Sequence, residues 1–150
     1  MWLTSDVGRQ MKTQPESKPS TEKCEYWLFA ERKLGSYPEH TDRGGKWLIF
    51  VPSDAVDEVW QKIKRAVEEG KLGNTAKVST AKPNPNSADS SRHVICVYTC
   101  DASDEADVRQ IRLSLRDLGI TSKIPYKTDD ATLQGKYRKS GDKRISLYYE

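Results

Sequence analysis

The sequence predicts an α+β domain, with a mainly antiparallel sheet covered on one face by two amphipathic helices. Three observations predict it. Six short β-prone runs are separated by turn chemistry, and only two segments carry helical periodicity. The strands come in adjacent pairs without an intervening helix, giving the order ββ-α-ββ-α-ββ. Strands joined without a crossover pair antiparallel. A sheet covered on one side leaves its other face partly open for binding.

Residues 1–24 mix Gln, Lys, Ser, Pro and Thr without a sustained period and are expected to form a mobile tail, with a single domain over 25–150. The first strand is Glu25–Ala30, rich in aromatic residues, followed by the turn Gly35-Ser36-Tyr37-Pro38. Lys46–Val51 is the second, and its near-continuous apolar run predicts burial on both faces. Ser53 is placed to cap the first helix, with Asp54, Asp57 and Glu58 at the positive helix end. Val56, Val59, Trp60, Ile63 and Val67 make the apolar stripe, and Gly70 ends it. Trp27, Trp47 and Trp60 all read as core residues.

Thr75–Thr80 and His93–Thr99 read as a hairpin whose connection contains the turn residues Lys82-Pro83-Asn84-Pro85-Asn86-Ser87. His93 is expected near the surface at the strand start. Ser103 is placed to cap the second helix, with Val108, Ile111, Leu115 and Leu118 as its stripe and Gly119 closing it. Ile124–Tyr126 and Ile145–Tyr149 are terminal strands around a polar loop, 127–144, in which Asp129-Asp130 reads as turn chemistry.

The chain has 150 residues, of which 35% are hydrophobic and 31% charged. The apolar deficit lies in 1–24, 81–92 and 127–144, leaving an ordinary core elsewhere. No apolar run approaches the roughly 18 residues of a membrane-spanning helix. The N-terminus lacks the charged-then-apolar signal pattern. Collagen, coiled-coil and repeat patterns are absent. Cys24, Cys96 and Cys100 are too few and odd in number for a disulfide scaffold, so a reducing compartment is expected, the cytosol or the nucleus. They do not complete a zinc-ligand spacing, and there is no phosphate-binding loop or dinucleotide fingerprint, so neither metal nor cofactor is expected. The net charge is +3. Its excess falls in the last thirty residues, which can gather phosphates.

Gly44-Gly45-Lys46-Trp47-Leu48-Ile49, the helix with Trp60, the strands around Val78 and Val94, and Leu118-Gly119-Ile120 before Ile124 and Tyr126 together resemble the mRNA cap-binding translation initiation factors. A closer resemblance is to the uncharacterised basophilic-leukaemia-expressed protein family of that fold. It is carried by Gly45-Lys46-Trp47, Glu69-Gly70-Lys71-Leu72-Gly73, Ala76-Lys77-Val78-Ser79, His93–Tyr98, Tyr126-Lys127 and Gly135-Lys136-Tyr137-Arg138. The resemblance implies a curved sheet with helices on its convex face. Cap binding stacks a cationic guanine between two aromatic rings beside a carboxylate. Here the loop after the first strand offers only Tyr37, and residues 70–76 offer no aromatic or acidic residue. The double-Trp sandwich is not matched, while the phosphate side persists.

There is also a distant similarity to bacterial phosphothreonine lyases. Lys77 resembles their base, and Lys46, Asp129 and Arg138 their phosphate-holding shell. Their acid His, two residues after Lys46, is Leu48 here.

The expected function is a binding module for a phosphate-bearing ligand, RNA or a nucleotide, on the concave face, with candidate contacts Lys46, Lys77, Ser79, Arg92, Lys127, Asp129, Lys136 and Arg138. The alternatives are a metal-independent lyase, with Lys77 as base and His93 as the stand-in acid, and a protein-interaction module on the helix-covered face.

Overall fold

The computed structural model describes residues 17–83, 91–129 and 147–150. Its elements are β1 (Trp27–Glu31), β2 (Gly45–Pro52), α1 (Val56–Glu68), β3 (Thr75–Ser79), β4 (Arg92–Thr99), α2 (Glu105–Asp117), β5 (Pro125–Thr128) and β6 (Tyr148–Tyr149). All six strands form one sheet in the order β1-β3-β4-β2-β5-β6, with every neighbouring pair antiparallel. This is the predicted curved α+β architecture. The predicted hairpin is the β3–β4 pair, in which Lys77 lies opposite Cys96 and Val78 opposite Ile95.

Strand alternation sorts the residues onto two faces. Ala30, Ala76, Val78, Ile95, Val97, Trp47, Ile49, Val51 and Tyr126 share one face and one buried cluster. Val56, Trp60, Ile63 and Val67 of α1 and Val108, Ile111 and Leu115 of α2 complete that cluster, so both helices cover the same side. Val56, Ile63 and Val67 are fully buried. Each contributes about 1.5–3 kcal/mol relative to exposure. Gly70 and Gly119 end the helices with φ of 82° and 100°, the left-handed conformation that favours glycine there.

Several sequence expectations need correction. Ser53 does not cap α1, which starts after Ala55 without a side-chain cap. The Ser53 hydroxyl instead donates to the Ser91 carbonyl at 3.1 Å and lies 2.9 Å from His93 Nε2, tying β2 to the start of β4. The cap of α2 is Asp104, which accepts from the Asp107 amide at 3.2 Å. Ser103 sits one residue too early. Its amide and hydroxyl bind Asp101, whose carboxyl is held down at about 2 by these bonds and by Arg43.

β2 is not buried on both faces, since Phe50 is 50% exposed on the side away from the helices. Trp47 and Trp60 are core, but Trp27 is half-buried on that open face. β5 runs through Lys127 and Thr128, two residues into the expected loop. Within the expected tail, Pro19 is buried, and Ser20 donates through its amide to Asp57 Oδ1 at 2.9 Å and through its hydroxyl to Asp57 Oδ2 at 2.5 Å.

One core residue escaped the sequence reading. Arg112 sits in α2 with 2% of its surface exposed. Its guanidinium donates to the carbonyls of Glu150 at 2.8 Å, Ile120 at 2.9 Å and Ser122 at 2.8 Å, and it lies over the Trp47 ring. Burial lowers its pKa from the ordinary arginine value, as does the neighbouring Arg116.

Candidate functional site on the open sheet face

The residues that alternate away from the helices form the open face. Register places them in rows across the strands. One row is Trp27, Ser79, Val94 and Phe50, and the next is Phe29, Lys77, Cys96 and Leu48. A third carries Tyr98, Lys46 and Lys127, each directly opposite its neighbour. Cys96 and Leu48 are 4% and 7% exposed, forming an apolar floor between Lys77 and Lys46. Burial raises the Cys96 thiol pKa, and the positive charges of Lys77 and Lys46 partly oppose that rise. Both lysines thus flank this floor on one face although 31 positions separate them in the chain.

Lys46 is held in place. Its Nζ donates to Asp129 Oδ1 at 3.1 Å and lies 6.0 Å from the Tyr98 ring centre. Asp129 follows β5 directly, and its amide donates to the Gly44 carbonyl at 2.9 Å. The second carboxylate oxygen of Asp129 is 2.5 Å from His40 Nε2. His40 reaches it from the β1–β2 loop, which Thr41 fastens to the Cys100 carbonyl by both its amide and its hydroxyl. The imidazole lies against Gly44, where any Cβ would overlap the ring. Glycine at 44 is thus a steric requirement of the His40–Asp129–Lys46 cluster. Gly45 serves a similar purpose, leaving space for the buried Tyr126 phenol. That phenol is 2.6 Å from the Thr99 hydroxyl, and burial pushes its pKa up to about 12.

Burial alone would raise the Asp129 pKa, but the hydrogen bonds from His40 and Lys46 outweigh it and hold the carboxyl below its ordinary value. The sign of the linkage follows. A depressed carboxyl stabilises the fold above its unfolded pKa near 3.9, and that contribution disappears as the pH falls through the lower folded value. Urea unfolding from pH 6 to pH 3 is expected to show Asp129→Asn less stable than wild type at the upper end, with the two curves converging below about pH 4. A gap of constant size would show that the Asp129 charge carries no such linkage.

The structure also locates the other predicted residues. Lys77 places its Nζ 3.9 Å from the Trp27 ring centre, so its amine rests on an aromatic face. Arg92 lies over Phe50 at 5.7 Å. Ser79 shares the face, but its hydroxyl accepts the Val94 amide at 2.9 Å and so staples β3 to β4. His93 belongs to the opposite face, three residues from Cys96 on β4. It is 3% exposed, not near the surface, with Nδ1 2.8 Å from the Ser79 carbonyl and Nε2 engaged by Ser53. Alternation thus separates His93 from Lys77, correcting its placement as a stand-in acid. Lys136 and Arg138 lie outside the described residues. His40 was missed because a loop histidine carries no periodic signal. Gly44 makes room for its ring, but a glycine in a turn does not by itself point to a histidine.

Tyr37, the loop aromatic, is also committed. Its hydroxyl donates to Asp107 at 2.5 Å and accepts the Cys100 amide at 3.0 Å, while Arg32 covers its ring. A cavity of about 380 Å³ lies elsewhere, beside the start of α2, lined by Arg43, Ser103, Glu105, Thr128, Leu147 and Tyr148. None of the predicted contacts among the described residues lines it.

A curved six-stranded antiparallel sheet with its helices on one side is the fold of solved cap-binding initiation factors. Schistosome eIF4E complexed with m7GpppA and 4E-BP superposes with a TM-score of 0.63 over 98% of this chain and 81% of that chain, at 13% identity. The same factor with m7GpppG and 4E-BP gives 0.63 over 98% and 81%, at 14% identity. Within that fold, residues 31–133 match the family model of the basophilic leukemia-expressed protein Bles03, and the chain belongs to this family.

Proposed function

We propose that the open face binds a phosphate-bearing ligand, RNA or a nucleotide, without the double-aromatic recognition of a cap. The carrying observation is that Lys46, Lys77 and Lys127 stand on one face from three different strands, with the buried Cys96 and Leu48 between Lys77 and the other two. Arg92 extends the positive edge, and Lys136 and Arg138 are proposed to add to it. A phosphate oxygen accepts from several ammonium groups at once, and the apolar floor lowers the local dielectric beneath them. The structural relatives were crystallised with cap dinucleotides, which are phosphate-bearing nucleotides. Tyr37 is locked by Asp107, the β1–β2 loop carries no other Tyr, Trp or Phe to stack on a guanine, and the His40 ring is held by Asp129. Fluorescence polarisation with labelled single-stranded RNA at two salt concentrations tests the proposal. Binding is expected to weaken steeply as salt rises. Salt-independent binding, or none at low salt, sinks it.

One observation favours a second reading, a phosphothreonine lyase. His40, supplied by the loop and bound to Asp129 beside Lys46, offers an acid that Leu48 does not. In this reading Lys77 removes the Cα proton of a phosphothreonine, the Cβ–O bond breaks, and its electron pair leaves with the phosphate. His40 protonates the departing oxygen and Lys46 holds the phosphate. Mass spectrometry of a phosphothreonine peptide is expected to show loss of phosphoric acid, reduced ~100- to 10,000-fold by His40→Ala. An unchanged peptide, or equal product from Lys77→Ala, eliminates the reading.

A further inference from the structure

Among the described residues, the most exposed apolar side chains on the strands of the open face are aromatic, and they reach beyond the lysine cluster. Phe29 is 58% exposed, Phe50 50% and Tyr149 63%. Trp27 joins them, half-buried at the β1 edge. Tyr149 belongs to the same face because its neighbour Tyr148 packs on Trp47 and Tyr126 on the helix side. Three of these rings carry a cation of their own. Lys77 sits 3.9 Å from Trp27, Arg92 5.7 Å from Phe50, and Lys123 5.9 Å from Tyr149.

Sheet geometry sets their spacing. Trp27 and Phe50 are in one row with three strand-to-strand steps between them, about 14 Å, and Trp27 to Tyr149 crosses the whole sheet, about 24 Å. Lys46 and Phe50 lie four residues apart on β2, about 13 Å. A single nucleotide has one base and cannot span from Trp27 to Phe50 or to Tyr149. A ligand that engages the lysines and the rings together must present several phosphates and several unstacked bases. Rings paired with cations match that repeat, since each offers a face to a base and a charge to the adjoining phosphate. Of the aliphatic side chains on this face, Leu48 is buried and Val94 half-buried, so the rings stand out as its exposed apolar groups.

We propose that this face binds single-stranded RNA over several nucleotides, with unpaired bases stacked on Trp27, Phe29, Phe50 and Tyr149. This rests on the phosphate-ligand reading and names its ligand class.

The test uses the full chain with labelled oligouridine of about twelve nucleotides, about four nucleotides, uridine monophosphate as competitor, and a duplex of the longer length. Affinity is expected to rise with length, with the duplex and the mononucleotide binding far more weakly. Phe50→Ser and Tyr149→Ser change exposed side chains and leave the core untouched. Each is expected to weaken binding of the longer oligomer roughly tenfold without altering its salt slope. Leu113→Ser, exposed on the helix side, is the control and is expected to bind as wild type. If the oligomer responds to salt and to loss of Lys46 and Lys77 but ignores length and both ring variants, this inference falls and the phosphate reading stands. Equal binding of duplex and single strand also overturns it. If no RNA binds at low salt, both fall, in favour of a protein partner for the aromatic face.

Discussion

Replacing Arg112 with methionine is expected to destabilise the domain by about 3–5 kcal/mol, although the two side chains are of similar length. The guanidinium is buried, and all three of its recorded hydrogen bonds end on main-chain carbonyls, two in the segment after α2 and one at Glu150. The Ile120 and Ser122 carbonyls belong to chain that has left regular structure, whereas the Glu150 carbonyl also accepts the Ile124 amide at 2.9 Å. Methionine fills much of the volume beside Trp47 but donates nothing, leaving the Ile120 and Ser122 carbonyls desolvated without that partner. Arg112→Lys keeps the charge but loses the planar fork that reaches three acceptors, and is expected to fall in between. Urea denaturation measures both. A loss below about 1 kcal/mol for the methionine variant would mean that water replaces the guanidinium without difficulty.

The second large effect concerns binding. Lys46→Ala/Lys77→Ala is expected to weaken single-stranded RNA binding roughly 10- to 30-fold and to reduce the salt slope by about 1.4, the contribution of two phosphates on a single strand. The two lysines do not act equivalently. Lys77 rests on Trp27, so its removal takes one cation and uncovers an aromatic face. Lys46 neutralises Asp129, so its removal also leaves that carboxylate facing the ligand with His40 as its remaining recorded side-chain partner. Lys46→Ala alone is therefore expected to cost more than Lys77→Ala alone. Polarisation titrations at several salt concentrations check both parts. A double variant with the wild-type salt slope would place the phosphates elsewhere.

Much of the architecture was legible because the signals are local. The stripe Val56–Trp60–Ile63–Val67 and the glycines at 70 and 119 state a helix and its ends within thirteen to fifteen residues. His93–Thr99 states a strand by composition alone. Errors arose where one residue had competing uses. Ser53 and Ser103 each have cap chemistry, yet each spends it in a neighbouring turn or strand junction. Phe50 reads as core in an apolar run, but strict alternation sends it to the open face.

The candidate site was legible as a set of residue types and not as a place. Lys46, Lys77 and Asp129 were singled out, yet nothing in the chain says that β4 lies between the first two. Lys77 as base and His93 as acid need one shared face, and the β3–β4 register puts them on opposite sides. His40 and Arg112 gave no usable signal, because both depend on partners contributed by distant segments.

By itself the sequence determined the element types, their order, the two helix faces and the stock of cations. Each follows from periodicity and propensity over a few residues. Only the tertiary structure decided strand order and register, and with them which side chains share a face. Those depend on hydrogen bonds between segments far apart in the chain, where local preference has no reach. Register placed Lys46 beside Lys127 and Lys77 across Cys96, and it ranged aromatic rings across the open face from Trp27 to Tyr149.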